Sequence, residues 1–375
     1  MGFSVDPDAV AALSKQMERL QEHATAGKSY VGSHTEISFT GEGLINLIAG
    51  GHREVQGQVE HFLSRLAEPT AATMSEALID AARYYRSTDH ASAEQLDGTY
   101  PGSDVAAARR DVDEVSAQAG AFEDVTDPTS HYTAPKDYHD ELAYEPSWWD
   151  IASPSAMIRN AILKVTELGA MVGACDRGYD IYELILKPVC GDWAGMRACA
   201  DVFRNVARAA EDMSENIRWS TQGMTDVWTG NAADGCQVHL LELARALDSA
   251  AEPLDAIAGE YQAAADGARD FRDALGPVIS DAGDAALKAA ASAGITVAAG
   301  STKVGLPVAL IVGAFTVSKI YRVIDLLRTA LDLADRIESA ARAFDSAGNS
   351  FGQVDADNPL PRLPDGAPRV PSPET

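Results

Sequence analysis

The residues best suited to chemistry form short groups of acidic, histidine and tyrosine side chains. Asp137, His139 and Asp140 lie close together in the sequence, and carboxylate and imidazole groups are common metal ligands. Their surroundings are polar and include Pro135, which favours a solvated connector over a metal site. His52 falls on the apolar stripe of a predicted helix, where a structural histidine is commoner than a ligand or a base. Neither feature predicts a catalytic centre.

The four cysteines, Cys175, Cys190, Cys199 and Cys236, offer little metal or redox chemistry. None of them has the C-x-x-C spacing of zinc sites and redox pairs. Cys199 and Cys236 lie on different arms of a predicted helical pair, too far apart for a disulfide. Cys175 and Cys190 could pair across the loop between them, and four free or buried thiols are at least as good an interpretation.

Motifs of known enzyme classes are absent. The sequence contains no P-loop, no H-E-x-x-H zinc helix and no G-x-S-x-G nucleophile turn. The abundant carboxylates are explained as the solvated faces of amphipathic helices. We therefore predict no enzymatic activity, no cofactor and no bound metal.

The charge of the chain limits its partners. Thirty basic residues face 56 acidic ones, giving a formal charge of -26, which argues against binding to nucleic acid or to an anionic membrane surface. The first ten residues have neither the cationic nor the apolar region of an export signal. A secreted fate would therefore need a Sec-independent route.

Heptad-like spacing predicts two long helices around Trp228, Thr229 and Gly230. Apolar residues recur at alternating steps of three and four over 196–224 and again over 236–275. Gly230 supplies the permissive backbone of a tight reversal. We expect an antiparallel hairpin with arms of roughly 40 to 60 Å, at about 1.5 Å per residue. An alternative interpretation of Trp228 is an aromatic residue that plugs the end of the hairpin.

The N-terminal third repeats this organisation. Val10–Val31 and Ile45–Leu66 carry the same alternation, and Phe39, Thr40 and Gly41 between them parallel the Trp228 turn. We interpret this as a degenerate internal repeat of one hairpin type. Pro69 should kink or restart the second helix.

Tyr85 and Asp89 stand four residues apart near the end of the helix that follows Pro69. Residues at this spacing share one face of a helix, so the phenol and the carboxylate should form one patch. The second hairpin lacks this pair, because Ala265 stands four residues after Tyr261.

Together these features resemble a known family. Two heptad helices around a Trp-x-Gly turn are similar to the WXG family of helical-hairpin substrates of actinobacterial type VII (ESX) secretion systems, and Tyr85-x-x-x-Asp89 resembles their general export signal. In such systems two hairpins pair so that the Trp-x-Gly turn of one and the Tyr-x-x-x-Asp of the other lie at the same end. The chain looks like both partners fused, similar to fused PE/PPE-like two-hairpin proteins. The resemblance covers about residues 1–96 and 190–275.

The resemblance implies a function without catalysis. It predicts a virulence-associated substrate or effector, exported as a folded helical bundle to the cell surface or beyond, with Tyr85, Asp89, Trp228 and Gly230 as the secretion signal. The implied partners are an ATPase or a chaperone of the secretion machinery. The helical faces also allow homo- or hetero-oligomers.

The whole chain is predicted to be all-α: two long antiparallel hairpins packed as an elongated bundle, then an apolar helical segment and a disordered tail. Gly276 and Pro277 are expected to end the second long hairpin. The apolar run from Val304 to Val317 would span roughly 22 Å as a helix, less than the ~30 Å of a bilayer core. The alternative function is a membrane-inserting or toxin-delivery module that uses residues 285–317. The predicted units are 1–96 (first hairpin), 97–147 (acidic linker), 148–275 (Trp-x-Gly hairpin), 276–345 (apolar and amphipathic helices) and 346–375 (Pro-rich tail).

Overall fold

The computed structural model describes residues 3–39, 43–109, 120, 122–142, 154–186, 190–292, 314–353 and 360–364. Gly41 of the degenerate turn lies outside these ranges, as does most of the apolar stretch, residues 293–313. The repeat of the turn and the membrane-inserting alternative therefore stay predictions. No helix in the described ranges is long and apolar enough to cross a membrane.

The described residues are 80% helical and 1% strand, which confirms the all-α class. Short π-helical turns at Leu66–Ala72, which contains Pro69, and at Tyr182–Leu186 interrupt the α-helical pattern, and Leu44–Ile48 and Pro128–His131 are 3-10 turns. Two short strands, β1 (Ser4–Val5) and β2 (Trp228–Thr229), pair with each other. The helices are α1 (Pro7–His34), α2 (Ala49–Arg65), α3 (Thr73–Ser87), α4 (His90–Asp97), α5 (Val105–Arg109), α6 (His139–Leu142), α7 (Pro154–Met171), α8 (Trp193–Met224), α9 (Asn231–Ser292) and α10 (Ala314–Ser350).

The core lies where the apolar stripes predicted it. The stripes of α8 and α9 face each other along the longest helix contact, and α10 packs on the far part of α9. α1 packs against α3 and α8. The buried stripe residues are Met196, Cys199, Phe203, Val206, Ala210, Met213, Ile217, Ser220 and Met224 on α8, and Cys236, Leu240, Leu243, Leu247, Ala250, Leu254, Ile257, Tyr261, Ala264, Ala268, Phe271 and Leu275 on α9.

α2 and α10 cross at two glycines. A Cβ atom at Gly348 would lie 2.7 Å from the Cα atom of Gly51, so neither position has room for a side chain. Beside the crossing, the Gly51 N–H donates to Asp345 Oδ1 at 2.8 Å. This bond satisfies one of the free N–H groups in the first turn of α2.

The prediction that Gly276 and Pro277 end the long helix is wrong, because α9 continues to Ser292. Proline removes one backbone donor and disfavours a helix interior by about 3 kcal/mol. Beyond it, however, Ile279, Ala282 and Ala286 are buried in the packing of α9 against α7 and α10. Tertiary burial outweighs the local preference.

The prediction of a solvated acidic connector is also wrong for the described part of residues 97–147. Phe122, Tyr138 and Leu142 are buried. The Asn216 side chain on α8 accepts from the N–H groups of Val125 and Thr126 and donates to the Thr126 carbonyl, at 2.8 to 3.0 Å. A few apolar contacts and the hydrogen bonds of one amide therefore fix this segment on the helices, although its composition is typical of a linker.

No group of three or more histidine, cysteine, aspartate or glutamate side chains in the described ranges is arranged to hold a metal. Within the predicted group, His139 Nδ1 lies 2.9 Å from Asp137 Oδ1, and both side chains are exposed. Cys175, Cys199 and Cys236 are free thiols, and the last two are buried. Burial raises the pKa of Cys236 to about 12, so this thiol stays protonated at neutral pH.

The C-terminal part is more ordered than its composition predicts. The stripe on α10 is buried as expected, including Val323, Leu327 and Ile337. Past the helix, Phe351 and Leu363 are also buried. The prediction of a disordered tail is therefore wrong for residues 346–353 and 360–364, because a few large apolar side chains find places on the bundle.

Candidate functional site

The Trp228 turn is tied to the N-terminus of the chain. In a two-residue antiparallel pairing, Val5 lies opposite Trp228 and Ser4 opposite Thr229. The Asp6 N–H donates to the Val227 carbonyl at 2.8 Å, and the Asp6 side chain caps α1. The turn and the start of α1 therefore form one unit, which the helical periodicity did not predict.

Gly230 occupies a position that only glycine fits without strain. Its φ is +128°, a backbone conformation that disfavours other residues. The Asp97 carboxylate approaches so closely that a Cβ atom at residue 230 would lie 2.6 Å from Asp97 Oδ2. Backbone conformation and this close approach both require glycine here.

Asp97 caps α9 although it lies at the end of α4. Its two carboxylate oxygens accept from the N–H groups of Asn231 and Ala232, each at 2.9 Å, and its side chain is buried. A carboxylate at a helix N-terminus satisfies free donors and complements the helix dipole. The Asn231 side chain donates to the carbonyls of Asp97 and Tyr100 in return. These bonds fasten the Trp228 turn to the end of α4.

The rings of Tyr85 and Trp228 meet edge to face, with 6.1 Å between their centroids. Trp228 is only 5% exposed, and Tyr85 is half-buried. Phe3 extends the contact: its ring centroid lies 5.9 Å from that of Tyr85 and 5.5 Å from that of His90. We call Phe3, Tyr85, His90 and Trp228 the aromatic cluster. It joins the N-terminus, the end of α3, the start of α4 and the turn before α9.

The cluster environment holds the Tyr85 phenol in its neutral form. Burial raises the pKa of Tyr85 well above its usual range, and the neighbouring Tyr100 and Asp97 side chains add to this. The Trp228 indole acts on that pKa in the opposite direction, although Trp228 Nε1 is buried without an acceptor at hydrogen-bond geometry. Tyr85 is thus an uncharged, partly covered hydrogen-bonding group.

Asp89 does not share a helical face with Tyr85, so the prediction of a single i, i+4 patch is wrong. α3 ends at Ser87, and Asp89 is the N-cap of α4. Its carboxylate accepts from the backbone N–H and the hydroxyl of Ser92, each at 3.0 Å, and these bonds lower its pKa. The strong preference of aspartate for N-cap positions explains the break. Asp89 is exposed and ionised beside the aromatic cluster.

The other predicted turn residue lies in different surroundings. The Phe39 ring is 5.9 Å from the His52 ring. His52 Nδ1 in turn lies 2.7 Å from the Tyr261 hydroxyl, and both side chains are buried. Phe39 thus packs on the junction of α2 with α9 rather than in the aromatic cluster.

Sequence reasoning missed Asp97, Phe3 and Tyr100. Asp97 precedes Gly98 at the end of a short helix, and that local signal says nothing about the distant helix that the carboxylate caps. Phe3 stands in a stretch without periodicity.

A cavity of about 560 Å³ adjoins the Trp228 turn, and Trp228, Gln237 and Arg109 are among the residues that line it.

Comparisons with known proteins returned no match. Protein-family models, curated proteins and solved structures all failed to match this chain. The resemblance to the WXG family accordingly stays a prediction from the residues quoted above.

Proposed function

We propose that this protein is a non-enzymatic substrate of a type VII secretion system, exported as a folded helical bundle. The observation that carries the proposal is the ring contact between Tyr85 and Trp228. The family resemblance implies that the Trp-x-Gly turn and the Tyr-x-x-x-Asp motif belong at one end of the bundle, and the separation of 6.1 Å between the two ring centroids supports that arrangement.

In this proposal the bundle consists of two antiparallel hairpins, one from α1 with α2 and α3, the other from α8 with α9. The packing of α1 on α3, of α8 on α9 and of α1 on α8 supports the arrangement. Export in the folded state fits a chain whose two motifs meet only through tertiary contacts, since an unfolded chain would separate them.

The four motif residues have different tasks. Trp228 is buried, and Gly230 lies under the Asp97 carboxylate, so both position the end of the bundle. Asp89 is exposed and charged, and Tyr85 is partly exposed. These two groups offer the surface that an ATPase or a chaperone of the machinery would contact.

The test compares two exposed carboxylates, Asp89 and Asp80, in an actinobacterial host with a working type VII system. Asn is also a good N-cap residue, so Asp89→Asn removes the charge and leaves α4 capped. Asp80→Asn removes an exposed charge from α3, where Asp80 pairs with Arg83. We expect the Asp80→Asn chain to reach the culture filtrate like the native chain. The amount of the Asp89→Asn chain in the filtrate should be about tenfold lower than that of the native chain. Its circular dichroism spectrum should be unchanged. Export of Asp89→Asn at the native level, or failure of the native chain to be exported, would overturn the proposal.

A further inference from the structure

The segment 360–364 lies against the outer face of α2. Leu363 is only 4% exposed and Leu360 packs against the core, whereas Arg362 between them is exposed. The space between the segment and α2 is lined on the α2 side by Gln58, His61, Phe62 and Arg65; we call this surface the α2 groove. The alternation shows that the segment presents one side to the protein.

The spacing of the two leucines explains this one-sided contact. Each of them precedes a proline, Pro361 or Pro364, and a residue before proline is confined to extended or polyproline II backbone. Polyproline II has three residues per turn, so Leu360 and Leu363 lie on the same side. Such a segment is already extended before it docks and loses little conformational entropy on binding.

Two features distinguish this contact from ordinary core packing. Gly352, with φ of +71°, turns the chain after α10, and a Cβ atom there would lie 3.2 Å from Gln58 Cβ, so the turn runs close to α2. A groove of about 350 Å³ that opens to solvent lies between α2 and residues 360–363. The segment therefore covers this face of α2 only in part, and its apolar contact rests on Leu360 and Leu363 alone among its five residues.

We infer that the α2 groove is a docking site for an extended Leu-x-x-Leu peptide, and that the protein occupies it with its own residues 360–364 as a displaceable clip. The groove recognises two leucines three residues apart on a polyproline II backbone. The occupant in the folded chain is its own C-terminal segment, and the same chemistry supplied in trans should compete with it. This inference does not depend on the proposed secretion function.

The test uses the full chain and a fluorescein-labelled peptide of residues 358–366. Leu363→Asp in the full chain should release the clip, because residue 363 is only 4% exposed and burying an ionised carboxylate there is costly. By fluorescence anisotropy, the peptide should bind the Leu363→Asp chain at least tenfold more tightly than the native chain, whose own segment competes. The same peptide with Leu360→Ser and Leu363→Ser should bind neither chain.

The milder variant Leu363→Ala guards against misfolding. If circular dichroism shows that Leu363→Asp is not native-like, Leu363→Ala should give the same order of affinities with a smaller difference. Equal binding of the peptide to the native and variant chains would overturn the inference. Failure of the labelled peptide to bind a folded variant chain would also overturn the inference.

Discussion

Tyr85 and Trp228 belong to different predicted hairpins, and their rings meet edge to face at 6.1 Å between centroids. The contact draws the end of α3 onto the turn that precedes α9. Because Phe3 packs on Tyr85 and Val5 pairs with Trp228, the N-terminal residues also join at this point. The N-terminal residues, the end of α3 and the turn before α9 therefore meet at one place.

The Tyr85–Trp228 contact should be measurable as a coupling energy. Edge-to-face aromatic pairs contribute about 0.5–1.5 kcal/mol beyond the area they bury. We expect a double-mutant cycle of Tyr85→Leu and Trp228→Leu, followed by urea unfolding, to give a coupling of about 1 kcal/mol. Tyr321, which is 52% exposed on α10, provides the control: Tyr321→Leu and Trp228→Leu should be additive. A coupling near zero for the first pair would show that the ring contact contributes nothing.

Gly230→Ala should destabilise the protein by about 2–4 kcal/mol. Holding a non-glycine residue in a disfavoured backbone region costs about 1–3 kcal/mol, and displacing the Asp97 cap costs about 1 kcal/mol more. The control is Gly259→Ala, whose Cβ atom would meet nothing within 4 Å on α9. That substitution should stabilise the helix by about 0.5–1 kcal/mol. Equal free energies of unfolding for the two variants would contradict the assigned role of Gly230.

Asp97→Ala should lower the free energy of unfolding by about 2 kcal/mol, because the N–H groups of Asn231 and Ala232 lose their common acceptor. The double variant should lose less than the sum of the two single losses, since both substitutions remove the same cap and only the backbone strain at residue 230 is separate. Urea unfolding of the two single variants and the double variant tests this. Fully additive losses would mean that the carboxylate and the glycine act independently.

The His52 junction should make stability pH-dependent. Burial lowers the pKa of His52 to about 4, so the unfolded chain binds a proton at this residue between pH 6.5 and about 4 that the folded chain does not. The free energy of unfolding should therefore fall as the pH falls through this window, by up to about 3 kcal/mol, and the His52 contribution should be constant above it.

Matched substitutions on α2 isolate this effect. His52→Gln should flatten the pH dependence of the free energy of unfolding between pH 6.5 and 4. His61→Gln, at an exposed position on the same helix, should leave the native curve unchanged. If all three proteins show parallel curves, protonation of His52 is not the cause of acid destabilisation.

The sequence predicts the positions of the helices better than it predicts where they end and how they contact one another. Every stripe residue named on α8 and α9 is buried. The heptad spacing of apolar residues marks the face of each helix that packs against its neighbour. The continuation of α9 through Pro277 was missed because packing outweighed a local proline signal. Asp89 caps α4 instead of continuing α3, because its preference for an N-cap position is stronger than the helical periodicity around it. Capping of α9 by Asp97 depends on tertiary geometry that no local pattern contains.

Tertiary contacts that the sequence pattern does not show also fix the described part of the predicted linker. Composition suggested a solvated segment, yet Asn216 binds the backbone of Val125 and Thr126 through its amide. A single polar side chain on a helix can fix a segment that has little apolar surface of its own. Such contacts leave no periodic signal in the sequence.

The most direct test of the proposed function compares secretion of the native chain, Tyr85→Ala and Tyr321→Ala in an actinobacterial host with a working type VII system. Culture filtrate and cell pellet are assayed for each protein, and circular dichroism establishes that each is folded. We predict that the native and Tyr321→Ala chains appear in the filtrate and that folded Tyr85→Ala stays in the cell. Export of Tyr85→Ala at the native level, or retention of all three chains, would contradict the assignment of the Tyr85–Trp228 end as an export signal.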